Sequence, residues 1–128
     1  MREITSHKLN GLNEALKVMA VDGPGPGGAS HQYVIEYDNK KFGPDPESMR
    51  QQQHVNFQNG PIAESYVNGA SIEAYIAICI DRLQGFQSGE YKCRENAIAL
   101  THLEDAMHWL QHRTRQRLAR GVEGTSAK

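Results

Sequence analysis

Nothing in this chain of 128 residues stays apolar for long: the longest such run, residues 74–80 (AYIAICI), falls far below the roughly 20 residues that a bilayer requires. No membrane span is expected. The opening residues, MREITSHKLNG, bring in Arg2 and Glu3 at once and no apolar stretch behind them, so they do not read as a secretory signal, and a cytosolic protein is expected. Cysteine is nearly absent. Cys79 and Cys93 each stand without a second cysteine nearby, which argues against a CxxC metal clip or a disulfide framework and leaves two reduced thiols as the expectation. Neither sign of charge prevails. Fourteen bases against 15 acids give a net charge of −1, so there is no global positive field to hold long nucleic acid or an anionic membrane, and any basic function has to be local. The length suffices for one core and is too short for a multidomain enzyme.

All five prolines lie at or before Pro61, and this shortage divides the chain. The Gly/Pro-punctuated first part predicts a β-rich region over residues 1–67. The proline-free remainder predicts a helical hairpin over 68–121 with a short tail, 122–128, the whole forming one compact α+β domain: a small antiparallel sheet followed by an antiparallel helical hairpin, oligomeric in solution. Tyr33, Ile35 and Tyr37 alternate with Gln32, Val34 and Glu36 in the period-2 pattern of a half-buried strand. Residues 54–58 (HVNFQ), ending at Asn59-Gly60-Pro61, read as another strand. Residues 9–21 fit a helix or loop that gives way to a strand from Leu16, and residues 39–53, with Pro44 and Pro46, read as a surface loop. In the second half Ser71 suits a helix cap and Glu73 its first turn. The predicted inward stripe is Ile72, Tyr75, Cys79, Leu83 and Phe86, closed by Gly85, Ser88 and Gly89. A second helix, from about Tyr91 to Arg120, is stopped by Gly121; at about 45 Å against about 24 Å it overhangs the first, leaving Trp109 and Leu110 to be covered by the β half or by another subunit.

The register of this second helix carries the chemical signal. One face reads Asn96, Ala99, Leu103, Ala106, Leu110, Arg113, Arg117 and Arg120, so an apolar seam runs without a change of face into arginines. No acid stands between Asp105 and Glu123, and guanidinium forks suit phosphate oxygens. Two readings stay open: a phosphate site, or a solvated or intersubunit salt-bridged helix end favoured by the helix dipole. Near the hairpin bend, Phe86 and Asn96 are the residue types that stack a base and hydrogen-bond its edge, although a Phe ending a stripe serves equally as core. Asp22-Gly-Pro-Gly-Pro-Gly-Gly28 holds a G-x-G-x-x-G spacing but is followed by a strand pattern, so it reads as a long hairpin loop rather than a dinucleotide fingerprint. Its amides over residues 27–30 are left to meet a ligand or a neighbour. His108 and His112, with Glu104 a turn before, have metal-compatible spacing without a metalloprotease motif, and no metal or cofactor is expected. No catalytic constellation is evident.

The tail Arg113-Thr114-Arg-Gln-Arg117-Leu-Ala-Arg120-Gly121-Val122-Glu123-Gly124-Thr125, with Glu95-Asn96 and Leu103-Glu104, resembles the helical hairpin shared by phage proteins that sequester CBASS cyclic oligonucleotides and the first type of Thoeris anti-defence protein. Asp22-Gly-Pro-Gly-Pro-Gly-Gly-Ala-Ser-His31, Phe57-Gln-Asn-Gly-Pro-Ile62, Val67-Asn-Gly69 and Asp81-Arg82-Leu83 followed by Phe86-Gln87 resemble the Thoeris type. The resemblance implies a non-enzymatic sponge acting in the host bacterial cytoplasm, which binds a cyclic ADP-ribose isomer without cleaving it. It implies a pocket in which Phe86 and Asn96 meet the base, Arg113 and Arg117 meet the diphosphate, and the Phe57-Gln58-Asn59-Gly60 turn closes the site. It also implies a homo-oligomer, a dimer or a hexamer, and some members bind CBASS cyclic di- or trinucleotides at separate sites. The competing expectation is a small helical regulator that binds nucleic acid through the arginine-rich helix, against which the near-neutral charge argues.

Overall fold

A computed structural model describes residues 1–38 and 51–127 and divides the chain into two compact units, 1–59 and 60–128. The first is a four-stranded antiparallel sheet in sequential order: β1 (Arg2–Ile4), β2 (Leu16–Ala20), β3 (Gln32–Tyr37) and β4 (Gln52–Asn56). A short helix, α1 (Gly11–Ala15), precedes β2. Asn10 caps it by accepting the Asn13 amide at 3.1 Å, which resolves the ambiguous stretch as helix and then strand from Leu16.

The alternation predicted for β3 fixes the register. Tyr33 lies between Ala20 and Val55, Ile35 between Val18 and Gln53, and Tyr37 opposite Leu16. Cross-strand partners share a face, so Leu16, Val18, Ala20, Tyr33, Ile35, Tyr37 and Val55 form one largely apolar surface, with Ala20 fully buried. The Phe57 ring meets Tyr33 edge-on at 5.8 Å, on the same side of the pleat as Val55. The last strand begins earlier than expected: Gln52 and Gln53, assigned to the preceding loop from sequence, pair with Glu36 and Ile35. The remainder of that expected loop, residues 39–50, lies outside the described residues.

The second unit contains α2 (Ile62–Ser65), α3 (Ile72–Gln87) and α4 (Arg94–Arg120). Ser71 caps α3 through a 3.1 Å bond from the Ala74 amide. The cap of α4 is Cys93, whose sulfur accepts the Asn96 amide at 3.4 Å, so this helix starts at Arg94 rather than near Tyr91. With 27 residues against 16, α4 is about 40 Å long against about 24 Å, and the expected overhang is present. Gly121 ends it in the left-handed region (φ 72°), donating to the Leu118 carbonyl while Val122 donates to that of Arg117, the paired bonds of a Schellman closure.

Both helical stripes differ in detail from their sequence patterns. On α3 the more covered residues are Tyr75, Ile76, Ile80, Leu83, Phe86 and Gln87, while Ile72 and Cys79 are exposed. On α4 the seam runs Asn96, Leu100, Leu103, Ala106, Met107, Leu110, Thr114 and Arg117; Ala99, Arg113 and Arg120 lie outside it, in solvent. A period of 3.6 leaves neighbouring registers nearly degenerate when alanine and arginine contribute to the count, and the large residues decide which wins. Among the described residues no helix is long and apolar enough to cross a membrane.

Candidate functional site

The arginine-rich end of α4 forms a groove of about 480 Å³ lined by Arg113, Gln116, Arg117, Ala119 and Arg120, a volume in the range of small-ligand sites. Its arginines are not equivalent. Arg113 is exposed on the rim. Arg117 is 8% exposed, the one buried residue of α4, and its guanidinium is turned into the C-terminal tail. Its Nε donates to Glu123 Oε2 at 3.0 Å, Nη1 to the Ala127 carbonyl at 2.6 Å, and Nη2 to the carbonyls of Val122 at 2.9 Å and Thr125 at 3.1 Å. Four of the five N–H donors are thus committed, and one N–H on Nη1 remains for an outside acceptor. Two parts of the sequence reading are corrected here. The acid that neutralises this end is Glu123 itself, and the seam enters the arginine stretch only at Arg117.

The tail motif after Arg117 now has a local physical account. Gly121 turns the chain back, Val122 and Thr125 present their carbonyls to Nη2, and Thr125 folds the tail on itself through Oγ1 and its amide, both donating to the Val122 carbonyl. Thr114 completes the last turns of α4 by bonding the Leu110 carbonyl at 3.2 Å.

At the hairpin end, the Arg82 guanidinium carbon sits 5.0 Å from the centre of the Phe86 ring, a cation–π contact one helical turn apart. One face of Phe86 is therefore taken, and a stacked base would use the other. Asn96 lies on the first turn of α4, where its amide is held by Cys93. Phe86 and Asn96 flank the bend between α3 and α4. Arg113 is seventeen positions beyond Asn96 on a continuous helix, about 25 Å along its axis. Within one hairpin, the aromatic–amide pair and the arginine groove are thus separate places.

Phe57, Gln58 and Asn59 close the sheet unit, where the Phe57 amide donates to the His31 carbonyl at 2.7 Å. In the Gly/Pro loop the Asp22 carboxylate accepts the amides of His31, at 3.0 and 3.1 Å, and Gln32, at 3.0 Å. The Gln32 bond above all, then that of His31, holds its pKa below the ordinary carboxylate value. The Gly28 amide donates to the Gly25 carbonyl, so the loop is partly closed on itself rather than a row of free donors. His108 and His112 stack at 6.4 Å, with Trp109 edge-on to both rings; no His, Cys, Asp and Glu grouping among the described residues could hold a metal ion. The role of Arg117 as the organiser of the tail escaped sequence reasoning, although Glu123 at six positions' distance was its available signal.

Residues 49–115 match the family model for the hairpin domain of Acb2/Tad1. Phe57, Gln58, Asn59, Phe86, Asn96 and Arg113 fall inside the match, and Arg117 lies beyond it. Over 74 residues the chain is 55% identical to "Thoeris anti-defense 1" from Bacillus phage SBSphiJ7, a stretch covering 58% of this chain and 52% of that relative. The chain thus spans about half the length of the curated relative it matches. With the family model covering more than half of its residues, the chain belongs to the Acb2/Tad1 hairpin-domain family.

Proposed function

We propose that this chain is a phage counter-defence protein that sequesters a cyclic ADP-ribose-type immune signal in the cytoplasm of the infected bacterium and releases it chemically unchanged. Membership of the hairpin family and the anti-defence name of the Bacillus phage relative support the role. The observation that carries the ligand class is the groove at the end of α4, where exposed Arg113 has a fork without a partner among the described residues and Arg117 a last N–H. A diphosphate is the matching acceptor. Glu123 already balances Arg117, whereas the charge of Arg113 meets no such partner among the described residues.

The separation of Asn96 from Arg113 bears on assembly. A single small cyclic nucleotide cannot reach across about 25 Å, so a pocket using Phe86, Asn96, Arg113 and Arg117 together draws its base-binding end from one hairpin and its arginine end from a second copy. Exposed Trp109 (66%), Ile78 (64%) and Leu118 (61%) supply apolar surface for such a homo-oligomer. Arginine, asparagine and phenylalanine bind and orient but do not transfer protons near neutral pH, which supports binding without turnover.

The test incubates a cyclic ADP-ribose isomer with excess protein, confirms its loss from solution, and heats the mixture to release it for mass spectrometry. Intact cyclic signal is expected. Linear ADP-ribose that accumulates with incubation time would show an enzyme instead. Light scattering on the same sample is expected to give a multiple of the chain mass.

A further inference from the structure

The latch on Arg117 reaches further than the tail it holds. The Gly124 carbonyl accepts the Ala63 amide at 3.0 Å, and a β-carbon at Gly124 would stand 3.0 Å from Ile62 Cγ1, so tail and α2 are in direct contact. The turn formed by Gly60, Pro61 and α2 is itself tight: Ser65 donates to the Pro61 carbonyl at 2.8 Å. A continuous chain of bonds therefore runs from the Arg117 guanidinium through Glu123, Val122 and Thr125 to Gly124, from Gly124 to Ala63, and from Ala63 to the turn whose first residue, Gly60, is joined to Asn59. Each of these bonds from Gly60 onward lies within residues 60–128.

We infer that residues 122–127 are a strap, braced on the 60–65 turn through Gly124, that fixes the Arg117 guanidinium in the wall of the groove and so sets the affinity of the arginine site. This rests on the reading that the ligand meets Arg113. An Arg117 side chain released from the strap would have to be ordered on each binding event, and the strap removes that entropic cost in advance. Arg117 is suited to the task because its planar fork bonds a carboxylate and three carbonyls at once, which a lysine ammonium with three donors cannot reproduce. Gly124 is equally specific: at φ 81° any other residue is strained, and a β-carbon there would crowd the Ile62 side chain at 3.0 Å.

Titration calorimetry with a cyclic ADP-ribose isomer is to be run on the full chain, on Gly124→Ala, and on a chain ending at Gly121, which keeps both Arg113 and Arg117. Hydrogen exchange at the Ala63 amide reports whether the turn has been freed. Both variants are expected to open that amide, to keep the helical circular-dichroism signal, and to bind at least tenfold more weakly. Adding Arg113→Ala to either should multiply its own loss, because a direct contact and a positioning strap act independently. A shortened chain that binds as tightly as the parent, or more tightly, would overturn the inference and make the tail a competitor for Arg117. Should the shortened chain lose its helices, Gly124→Ala decides alone. A parent chain that binds no cyclic nucleotide refutes the functional reading and this consequence of it. A parent that binds, with Gly124→Ala its equal despite a freed Ala63 amide, refutes only the strap.

Discussion

Replacing Arg117 by alanine separates a charge held for a ligand from a charge built into the fold. The side chain is 9% exposed and makes four hydrogen bonds, one of them to Glu123, whose carboxylate is 36% exposed. Hydrogen bonds to a charged group contribute about 1.5–3 kcal/mol each. Solvent around Glu123 screens that bond, so about 2 kcal/mol apiece, or about 8 kcal/mol in all, is a reasonable gross figure. Against it stands the freedom that six tail residues recover once released, about 1 kcal/mol each at the lower end of the backbone range, or about 6 kcal/mol. The carbonyls that lose their partner face water rather than a sealed interior, so no large desolvation penalty is added. The difference, about 2 kcal/mol, corresponds to a drop of roughly 6–10 °C in melting temperature for a chain of this size.

The expected behaviour of Arg117→Ala is therefore a folded protein with a lower Tm and a freely exchanging tail. Arg117→Lys should recover less than half of the loss, because three donors in a compact ammonium cannot span acceptors arranged for a fork. Circular dichroism melts and amide exchange at Val122, Thr125 and Ala63 measure both. An Arg117→Ala protein with parental Tm and parental exchange would refute the latch, and complete loss of helicity would refute the bookkeeping that treats the tail as peripheral.

Two further outcomes follow from the caps and the loop. Ser71→Ala removes the bond to the Ala74 amide that starts α3 and should lower stability by about 1 kcal/mol, a Tm shift of roughly 3–5 °C, whereas Ser71→Asp should hold it. The Asp22 carboxylate has its pKa lowered by the amides of Gln32 and His31, so its contribution is present above the ordinary carboxylate pKa and disappears as pH falls through the lower, folded value. Exchange at His31 and Gln32, corrected for its intrinsic pH dependence, should accelerate on acidification in the parent, and Asp22→Asn should be fast already at neutral pH. Exchange in that variant equal to the parent's at pH 7 would remove the carboxylate from the account of the loop.

How much of this was readable in the sequence depends on the range of the interaction concerned. Elements set by short-range chemistry could be read: the β3 alternation, the Ser71 cap and the Gly121 stop each depend on residues within a turn of one another. Strand β1 and helix α2 had no such signal, because three and four residues are too few for a period to show. The start of β4 was missed for a different reason. Glutamines have little strand preference of their own, and Gln52 and Gln53 are strand because Glu36 and Ile35 lie opposite, with Gln52 Nε2 donating to Glu36 Oε1 at 2.8 Å.

The candidate site shows the same division more sharply. That arginines crowd the last turns of α4 is a matter of counting, but which arginine faces where depends on a rotation of 100° per residue, and a seam passing through Thr114 instead of Arg113 exchanges their roles. The exchange matters because the two positions then do different work: Arg113 keeps its charge for solvent or ligand, whereas Arg117 is neutralised within the chain. An acid six residues after an arginine lies beyond the i, i+4 reach of a helix and acquires meaning only through a reversal of the chain at the Gly121 stop. Once Gly121 reverses the chain, that spacing brings Glu123 back onto Nε. The glycine that ends the helix thereby also determines that Arg117 belongs to the fold first, and can serve a ligand only with the donor that the tail leaves over.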